Sequence, residues 1–342
     1  MSQHQLLTLA VLLINALALS FLLTGLATSY ALRRGLLDHP GDRHSHTEAT
    51  PRGGGAGLIL ALVLSSLWAF AGKGGFWIIG VLPGMVVLSL LGWWDDHVSL
   101  SARFRFFVQL AVSFYLLWCV EAGNPDGSGL LLNMIVMAGA VIFLVWMTNL
   151  YNFMDGSNGM AGMQAVFAGI VLAGLFEHAA DYQMTAVAGL LAACSLGFLP
   201  WNLGRARVFM GDTGSLALGF TIGALLVYGV AAGAFELPVG LMVMIVFLTD
   251  STLTLLARVL KGERWYNAHK QHLYQRLIAQ GWSHSGVLFL YQAINLMLVV
   301  PGIAVAVNFP ALAWTVAAVM ILALGLGWYL VIKSIGVLPQ AG

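Results

Sequence analysis

Eleven apolar runs, at approximately 5–30, 56–71, 77–92, 104–121, 132–149, 159–177, 184–200, 215–234, 237–259, 286–308 and 311–333, leave this chain few ways to fold. A helix rises about 1.5 Å per residue and a bilayer's hydrocarbon core is about 30 Å thick, so such runs read as membrane-crossing helices. Composition agrees: 60% of the residues are hydrophobic and 8% charged, and the mean hydropathy is +0.88. A soluble globule needs roughly a quarter of its residues charged. The expected fold is therefore an all-α polytopic integral membrane protein of about eleven transmembrane helices, with ten as the alternative count. No internal repeat or low-complexity linker divides it, so residues 1–342 read as one integral domain.

The first apolar run lacks an N-terminal positive region, is long, and is followed by Arg33 and Arg34, so it reads as a retained helix and not as a cleaved signal. Cys119 and Cys194 lie inside apolar runs as small core hydrophobes. A net charge of +1 with no basic run excludes nucleic acid as an expected partner.

Eleven crossings place the loops after odd-numbered helices on one side with the C-terminus. Of the 15 Lys and Arg residues, only Lys73 falls on the other side. The positive-inside rule makes the basic side cytoplasmic and the N-terminus external. The outer loops, with Glu121, Asp126, Glu177, Asp181 and Glu236, read as connectors.

Chemistry-bearing residues collect in the five basic-side loops. The first, "DHPGDRHSHTEATPRGGG", has turn formers in Asp42, Ser45 and Glu48. Its Arg43, His44, His46 and Arg52 surround a triple glycine and could bind an anion through side chains and exposed N–H groups. In the second, "LGWWDDHVSLSARFRF", Trp93 and Trp94 suit an aromatic belt. Asp95 and Asp96 repel each other and sit at the wrong end of a helix dipole for negative charge. Something positive should compensate them, and a divalent cation would do so most directly.

The third loop, "NLYNFMDGSNGMAG", offers Asn149, Asn152, Asp155 and Asn158 at three-residue spacing, which gathers amides and a carboxylate on one side of a helix end. Turn formation explains some of them; reading a planar heterocycle would explain all four. The fourth ends in Gly211-Asp212-Thr213-Gly214-Ser215 at a helix start. Asp212 or Thr213 is an N-cap, or Asp212 is an oxygen ligand to Mg²⁺ beside a phosphate, and Phe209 is either an apolar anchor or a stacking surface. In the fifth, Lys261, Arg264, His269, Lys270, His272 and Arg276 form either a stripe for anionic headgroups or an anion site, with His269 and His272 expected on one helix face. Asp250 lies inside the ninth run, where a carboxylate costs roughly 2.5–3.5 kcal/mol, so a functional or hydrogen-bonded role is expected.

Together, from "DHPGDRHSHTEATPRGGG" through "WWDDHVSLSARFR", "NLYNFMDGSNGMAG" and "RVFMGDTGSLALG" to "AHKQHLYQRL", these loops resemble the polyprenyl-phosphate N-acetylhexosamine-1-phosphate transferases, glycosyltransferase family 4. The likeness is closer to the WecA and WbpL branch, which starts O-antigen and related glycans, than to MraY of peptidoglycan synthesis. It implies transfer of a sugar-1-phosphate from a UDP-N-acetylhexosamine (UDP-GlcNAc, UDP-QuiNAc or UDP-FucNAc) to undecaprenyl phosphate, with release of UMP. The implied setting is the bacterial inner membrane, with the active site facing the cytoplasm among membrane lipids. A homodimer stays open as an assembly.

By the resemblance, Asp95 and Asp96 bind Mg²⁺ (or Mn²⁺) or deprotonate the lipid phosphate, and Asp212 is the magnesium aspartate. Asn152 and Asp155 belong to a nucleotide site with Asn149, Asn158, His269 and a uracil-stacking Phe209. Arg43, His46, Arg52 and Arg105 are candidates for phosphate, and His272 for catalysis. Asn158 stands where other members often carry aspartate, and the chain departs from the family in three further places. A usual His-x-His-His signature falls on His272, Leu273, Tyr274 and Gln275; Ser99 stands where MraY enzymes have lysine; and His44 replaces a common lysine. A secondary transporter of an anionic solute and a structural scaffold are the rivals from other classes.

Overall fold

The computed structural model describes residues 2–38, 49–70, 72, 75–122, 130–263 and 270–335. Among the described residues the regular structure is helical apart from a two-stranded antiparallel ribbon, β1 (Leu37–Asp38) and β2 (Thr50–Pro51). The helices are α1 (Gln3–Arg34), α2 (Gly55–Phe70), α3 (Leu82–His97), α4 (Ala102–Ala122), α5 (Leu130–Phe153), α6 (Met160–His178), α7 (Tyr182–Asn202), α8 (Asp212–Ala231), α9 (Leu237–Val243), α10 (Ile245–Leu260), α11 (Leu273–Ala279), α12 (His284–Ile294), α13 (Val300–Asn308) and α14 (Ala313–Ile335). π-helical turns at Trp77–Val81 and Asn295–Val299 continue into α3 and link α12 to α13.

Every one of the eleven apolar runs is occupied by helix. Among the described residues nine spans are long and apolar enough to cross a membrane, and the α9–α10 pair makes ten if counted as one. The remaining run, 56–71, is α2, which has 16 residues and is about 24 Å long at ~1.5 Å per residue.

The run at 237–259 is bent: α9 and α10 meet at 81° around Met244. A bend frees backbone carbonyls that hydrocarbon cannot satisfy. Here the buried Gln164 Nε2 donates to Val243 O at 3.4 Å, and Asn295 Nδ2 in turn donates to Gln164 Oε1 at 2.7 Å. Two amides on other helices thus supply the bend with a partner.

Helix α8 is the centre of the bundle, packed against α3, α5 and α2. Its contact with α3 depends on Gly92: a methyl group there would stand 2.2 Å from Asp212 O. No side chain fits, and the close approach carries the C-terminal turn of α3, with Asp95 and Asp96, against the N-terminus of α8.

Candidate active site

The Asp95-Asp96 pair occupies the last turn of α3, and its two members face different partners. The Asp96 carboxylate turns into α8, accepting from Asp212 N and Thr213 N, both at 3.2 Å, and from Thr213 Oγ1 at 2.7 Å. The first N–H groups of a helix have no intrahelical acceptor and carry the positive end of its dipole, so a carboxylate from another helix suits them. Gly211, immediately before α8, has φ +73°, a left-handed conformation favouring glycine. A methyl group there would lie 2.7 Å from Asp96 Oδ2 and 3.0 Å from Gly53 N.

Asp95 turns the other way. Its Oδ1 accepts from Leu100 N at 2.5 Å, and its Oδ2 is 2.5 Å from Arg105 Nη1. The same nitrogen lies 3.1 Å from Asp212 Oδ2. Arg105 therefore supplies the positive charge that the aspartate pair requires, joining α3, α4 and α8. Asp212 Oδ1 accepts from Asn152 Nδ2 at 2.8 Å, and the same amide donates to Ser215 Oγ at 2.9 Å.

The four residues at three-residue spacing separate in the structure. Asn149 exchanges hydrogen bonds with Gln109, donating to its Oε1 at 2.6 Å, while Asn152 reaches Asp212. Asn158 Nδ2 donates to Gly204 O at 2.7 Å. Asp155 lies in the turn between α5 and α6 and accepts from the Gly211 backbone. Burial pushes its carboxyl well above the usual carboxylate range, and the negative charges of Asp212 and Asp96 add to the effect. Asn202 ties this turn to the fourth loop: its Oδ1 accepts from Gly159 N at 2.7 Å and its Nδ2 donates to Val208 O at 2.9 Å.

Two expectations for the first and fifth loops are corrected. Two of the three glycine N–H groups expected to be exposed for an anion are spent on protein carbonyls, Gly54 N on Phe209 O and Gly55 N on Met210 O, both at 2.9 Å. Pro51 O accepts from Phe209 N at 2.8 Å, so the chain entering α2 pairs with the chain entering α8. Arg52 donates through Nη2 to the Asp96 carbonyl, and Phe209 is half-buried in the chain entering α8. Arg43, His46 and His269 lie outside the described residues.

The helix face expected to be shared by His269 and His272 is not formed, because Lys270 and Gln271 are non-helical and α11 begins at Leu273. His272 is buried at the cap position of α11, with its ring 6.0 Å from those of both Phe153 and Tyr274. Burial lowers its pKa below the usual 6.5; the nearby Asp250 opposes this and Arg258 adds to it. Asp250 is hydrogen-bonded throughout, accepting from Leu273 N at 2.8 Å, Thr254 Oγ1 at 3.2 Å and Tyr291 OH at 2.7 Å. It fastens α10 to α11 and α12.

Sequence reasoning gave Thr213 only as a helix cap and assigned no role to Gln109, Ser215, Asn202 and His284. The last stands at the start of α12, where its Nδ1 is 3.0 Å from Ser157 Oγ. Thr213 and Ser215 were visible as part of a helix-start pattern; Gln109, Asn202 and His284 carry no local signal.

Asp95 and Asp212 could hold a divalent cation in place of Arg105. Asp96, with three donors on its carboxylate, could not join them without uncapping α8. The expected three-aspartate metal set is thus divided, and among the described residues no group of three His, Cys, Asp or Glu side chains is placed to hold a metal. Two carboxylates still fit Mg²⁺, which commonly takes one or two and fills its shell with water and substrate phosphate.

A helical membrane protein that concentrates carboxylates, amides and arginines at one end of its bundle has the parts to bind a charged ligand beside the bilayer. The chain belongs to glycosyl transferase family 4, whose family model matches residues 78–230. It is 26% identical over 303 residues to a probable undecaprenyl-phosphate N-acetylglucosaminyl 1-phosphate transferase of Bacillus subtilis, covering 85% of this chain and 83% of that one. It is 29% identical over 320 residues to the decaprenyl-phosphate N-acetylglucosaminephosphotransferase of Mycobacterium tuberculosis, covering 82% and 78%. A phospho-N-acetylmuramoyl-pentapeptide-transferase of Gloeothece citriformis is 30% identical over 253 residues, covering 65% and 66%.

Proposed function

We propose that this protein transfers an N-acetylhexosamine-1-phosphate from a UDP-sugar of the UDP-GlcNAc, UDP-QuiNAc or UDP-FucNAc type to undecaprenyl phosphate, releasing UMP and starting O-antigen or related glycan synthesis. The observation that carries the reading is the shared hold of Arg105 on Asp95 and Asp212, beside Asn152 and Asp155. The active site faces the cytoplasm, by the distribution of Lys and Arg.

In this reaction an oxygen of the lipid phosphate forms a bond to the sugar-bearing phosphorus of the diphosphate, and UMP leaves with the electron pair of the broken P–O bond. The lipid phosphate, with a second pKa near ~6 by analogy with phosphoserine, is already ionised at neutral pH, so no obligatory base is required. The task of the protein is alignment and charge neutralisation. Arg105 and Arg52 supply positive charge. Asp155, held toward its neutral acid, can both donate and accept hydrogen bonds, which suits the mixed edge of uracil. Bound Mg²⁺, or Mn²⁺ in its place, would be held by Asp95 and Asp212 and would neutralise phosphate charge there.

The test is UMP release by purified, detergent-solubilised protein across a panel of UDP-N-acetylhexosamines. Release that depends on undecaprenyl phosphate supports the reading. A transporter or a scaffold gives none, because neither needs chemistry outside a sealed compartment.

A further inference from the structure

The turn between α5 and α6 carries Asp155, and side chains from α11 and α12 hold it on both sides of that residue. Tyr274, fully buried on α11, donates from its hydroxyl to Phe153 O at 2.8 Å. Phe153 is the last residue of α5, and the final carbonyls of a helix have no intrahelical donor. The same hydroxyl accepts from the Gly156 backbone N–H. A methyl group at Gly156 would stand 2.2 Å from the hydroxyl oxygen, so glycine at that position is what admits the tyrosine. Burial pushes this hydroxyl far above the usual tyrosine range, and the charges of Asp250 and Asp155 add to the effect, so it stays a donor.

His284, the first residue of α12, holds the other end of the turn. Its Nδ1 is 3.0 Å from Ser157 Oγ and accepts from Asn158 N at 3.4 Å. A backbone N–H can only donate, so Nδ1 carries no proton and the Ser157 hydroxyl is the donor in its contact. Tyr274 and His284 thus act at residues 153, 156, 157 and 158, on either side of Asp155. The buried Asp250 anchors both of them. It accepts from Leu273 N, beside Tyr274, and from Tyr291 OH, about two turns along α12 from His284.

We propose that Tyr274 and His284 are positioning residues for the nucleotide half of the site: acting through residues 153–158, they hold Asp155 in the geometry that receives the base. The proposal rests on the transferase reading above. A side chain that reads a heterocycle from a turn is only as precise as the turn, and hydrogen bonds from packed helices supply that precision. Tyr274 stands where the usual His-x-His-His signature has its second histidine. One tyrosine hydroxyl donates and accepts at a single atom, which suits a carbonyl and an N–H that flank one residue. At this position the chain therefore carries a group that supports the site, in place of one that brings charge to it.

The test measures UMP affinity by calorimetry, and KM for both substrates, on the purified full chain. Tyr274→Phe and His284→Ala should each weaken UMP binding and raise the UDP-sugar KM about tenfold, while the KM for undecaprenyl phosphate stays within about twofold. His284→Asn, whose Oδ1 can accept in place of Nδ1, should restore UMP affinity to within about threefold of wild type. The control is Tyr228→Phe, which removes a hydroxyl that donates to Asp181 Oδ2 at 2.9 Å near the other end of α8. It should lower Tm and leave UMP affinity unchanged. Unchanged UMP affinity in Tyr274→Phe and His284→Ala overturns the proposal, as does an equal loss in Tyr228→Phe or an equal rise in both KM values. His284→Asn no better than His284→Ala overturns it for His284. If Tyr274→Phe fails to fold, the two His284 variants decide. The expected pattern of UMP affinities in a protein that releases no UMP from any UDP-sugar would retain the positioning roles and overturn the transferase reading alone, whereas a wild-type chain that binds no UMP overturns both.

Discussion

Asp96 caps the helix that begins with its neighbour's partner: its Oδ2 accepts from Thr213 Oγ1 at 2.7 Å, whereas Asp95 reaches Arg105. Two adjacent carboxylates therefore have different tasks, and substitution should separate them. Asp96→Ala removes a helix cap, worth typically about 1 kcal/mol, and should lower Tm. Asp95→Asn removes a charge facing Asp212 and should leave Tm unchanged or raised. Asp95→Asn and Asp212→Asn should still cut turnover by at least ~100-fold, about 2.7 kcal/mol of transition-state stabilisation. Thermal unfolding of the Asp95 and Asp96 variants side by side checks the division; equal losses of Tm would remove the cap assignment.

Arg105 stands where a divalent cation would compensate Asp95 and Asp212. In Arg105→Ala the two carboxylates lose their shared guanidinium, so the variant should unfold at lower temperature than wild type in EDTA and recover more Tm on addition of Mg²⁺ or Mn²⁺. A Tm indifferent to both metals in both proteins, with turnover surviving exhaustive EDTA treatment, would remove the metal from Asp95 and Asp212.

The helices were legible because apolar length is a one-dimensional signal: each run at 5–30, 56–71 and so on contains a helix. The bend at Met244 was not legible, since apolar residues continue on both sides of it. Gln164 lies 79 residues from its acceptor Val243, and Asn295 lies 131 residues from Gln164, so each reads as an isolated polar residue in an apolar run. The same holds for Arg105, ten residues from Asp95 but 107 from Asp212. Residue type and loop position pointed to a charged site, while the pairing of its members depends on the Gly92 contact and on helix packing. The triple glycine misled in a specific way. Glycine suggests accessible backbone, yet Gly54 and Gly55 use their N–H groups to join α2 to the chain before α8.

Asp155 gives a pH dependence whose sign follows from its environment. Its folded pKa is raised above the unfolded value of about 3.8, so its stabilising contribution is complete below that value and is lost as pH rises through the folded pKa. Asp155→Asn should remove this loss and raise Tm at pH 7–8, by on the order of 2 °C. The same substitution should weaken UDP-sugar binding more than lipid binding, as should Phe209→Ala. Unchanged UDP-sugar KM and UMP inhibition in both variants would remove them from the nucleotide site.

His272 sits between the rings of Phe153 and Tyr274, one residue before the backbone N–H that Asp250 holds at 2.8 Å. Burial lowers its pKa, so without substrate the imidazole is neutral at pH 7, and its contribution to stability is lost as pH falls through the lowered folded value. A diphosphate arriving beside it would favour the cation, and binding should then take up a proton. Calorimetry in buffers of different ionisation enthalpy reads that uptake directly, and His272→Ala should abolish it. The same variant should lose ~10–1,000-fold in kcat/KM, about 1.4–4 kcal/mol. Lys261→Ala, an exposed cation at the end of α10, serves as the control and should lose little. Measured side by side at saturating Mg²⁺, equal and small losses at His272 and Lys261, with no change in proton uptake, would assign His272 to holding α11 in place and remove it from the active site.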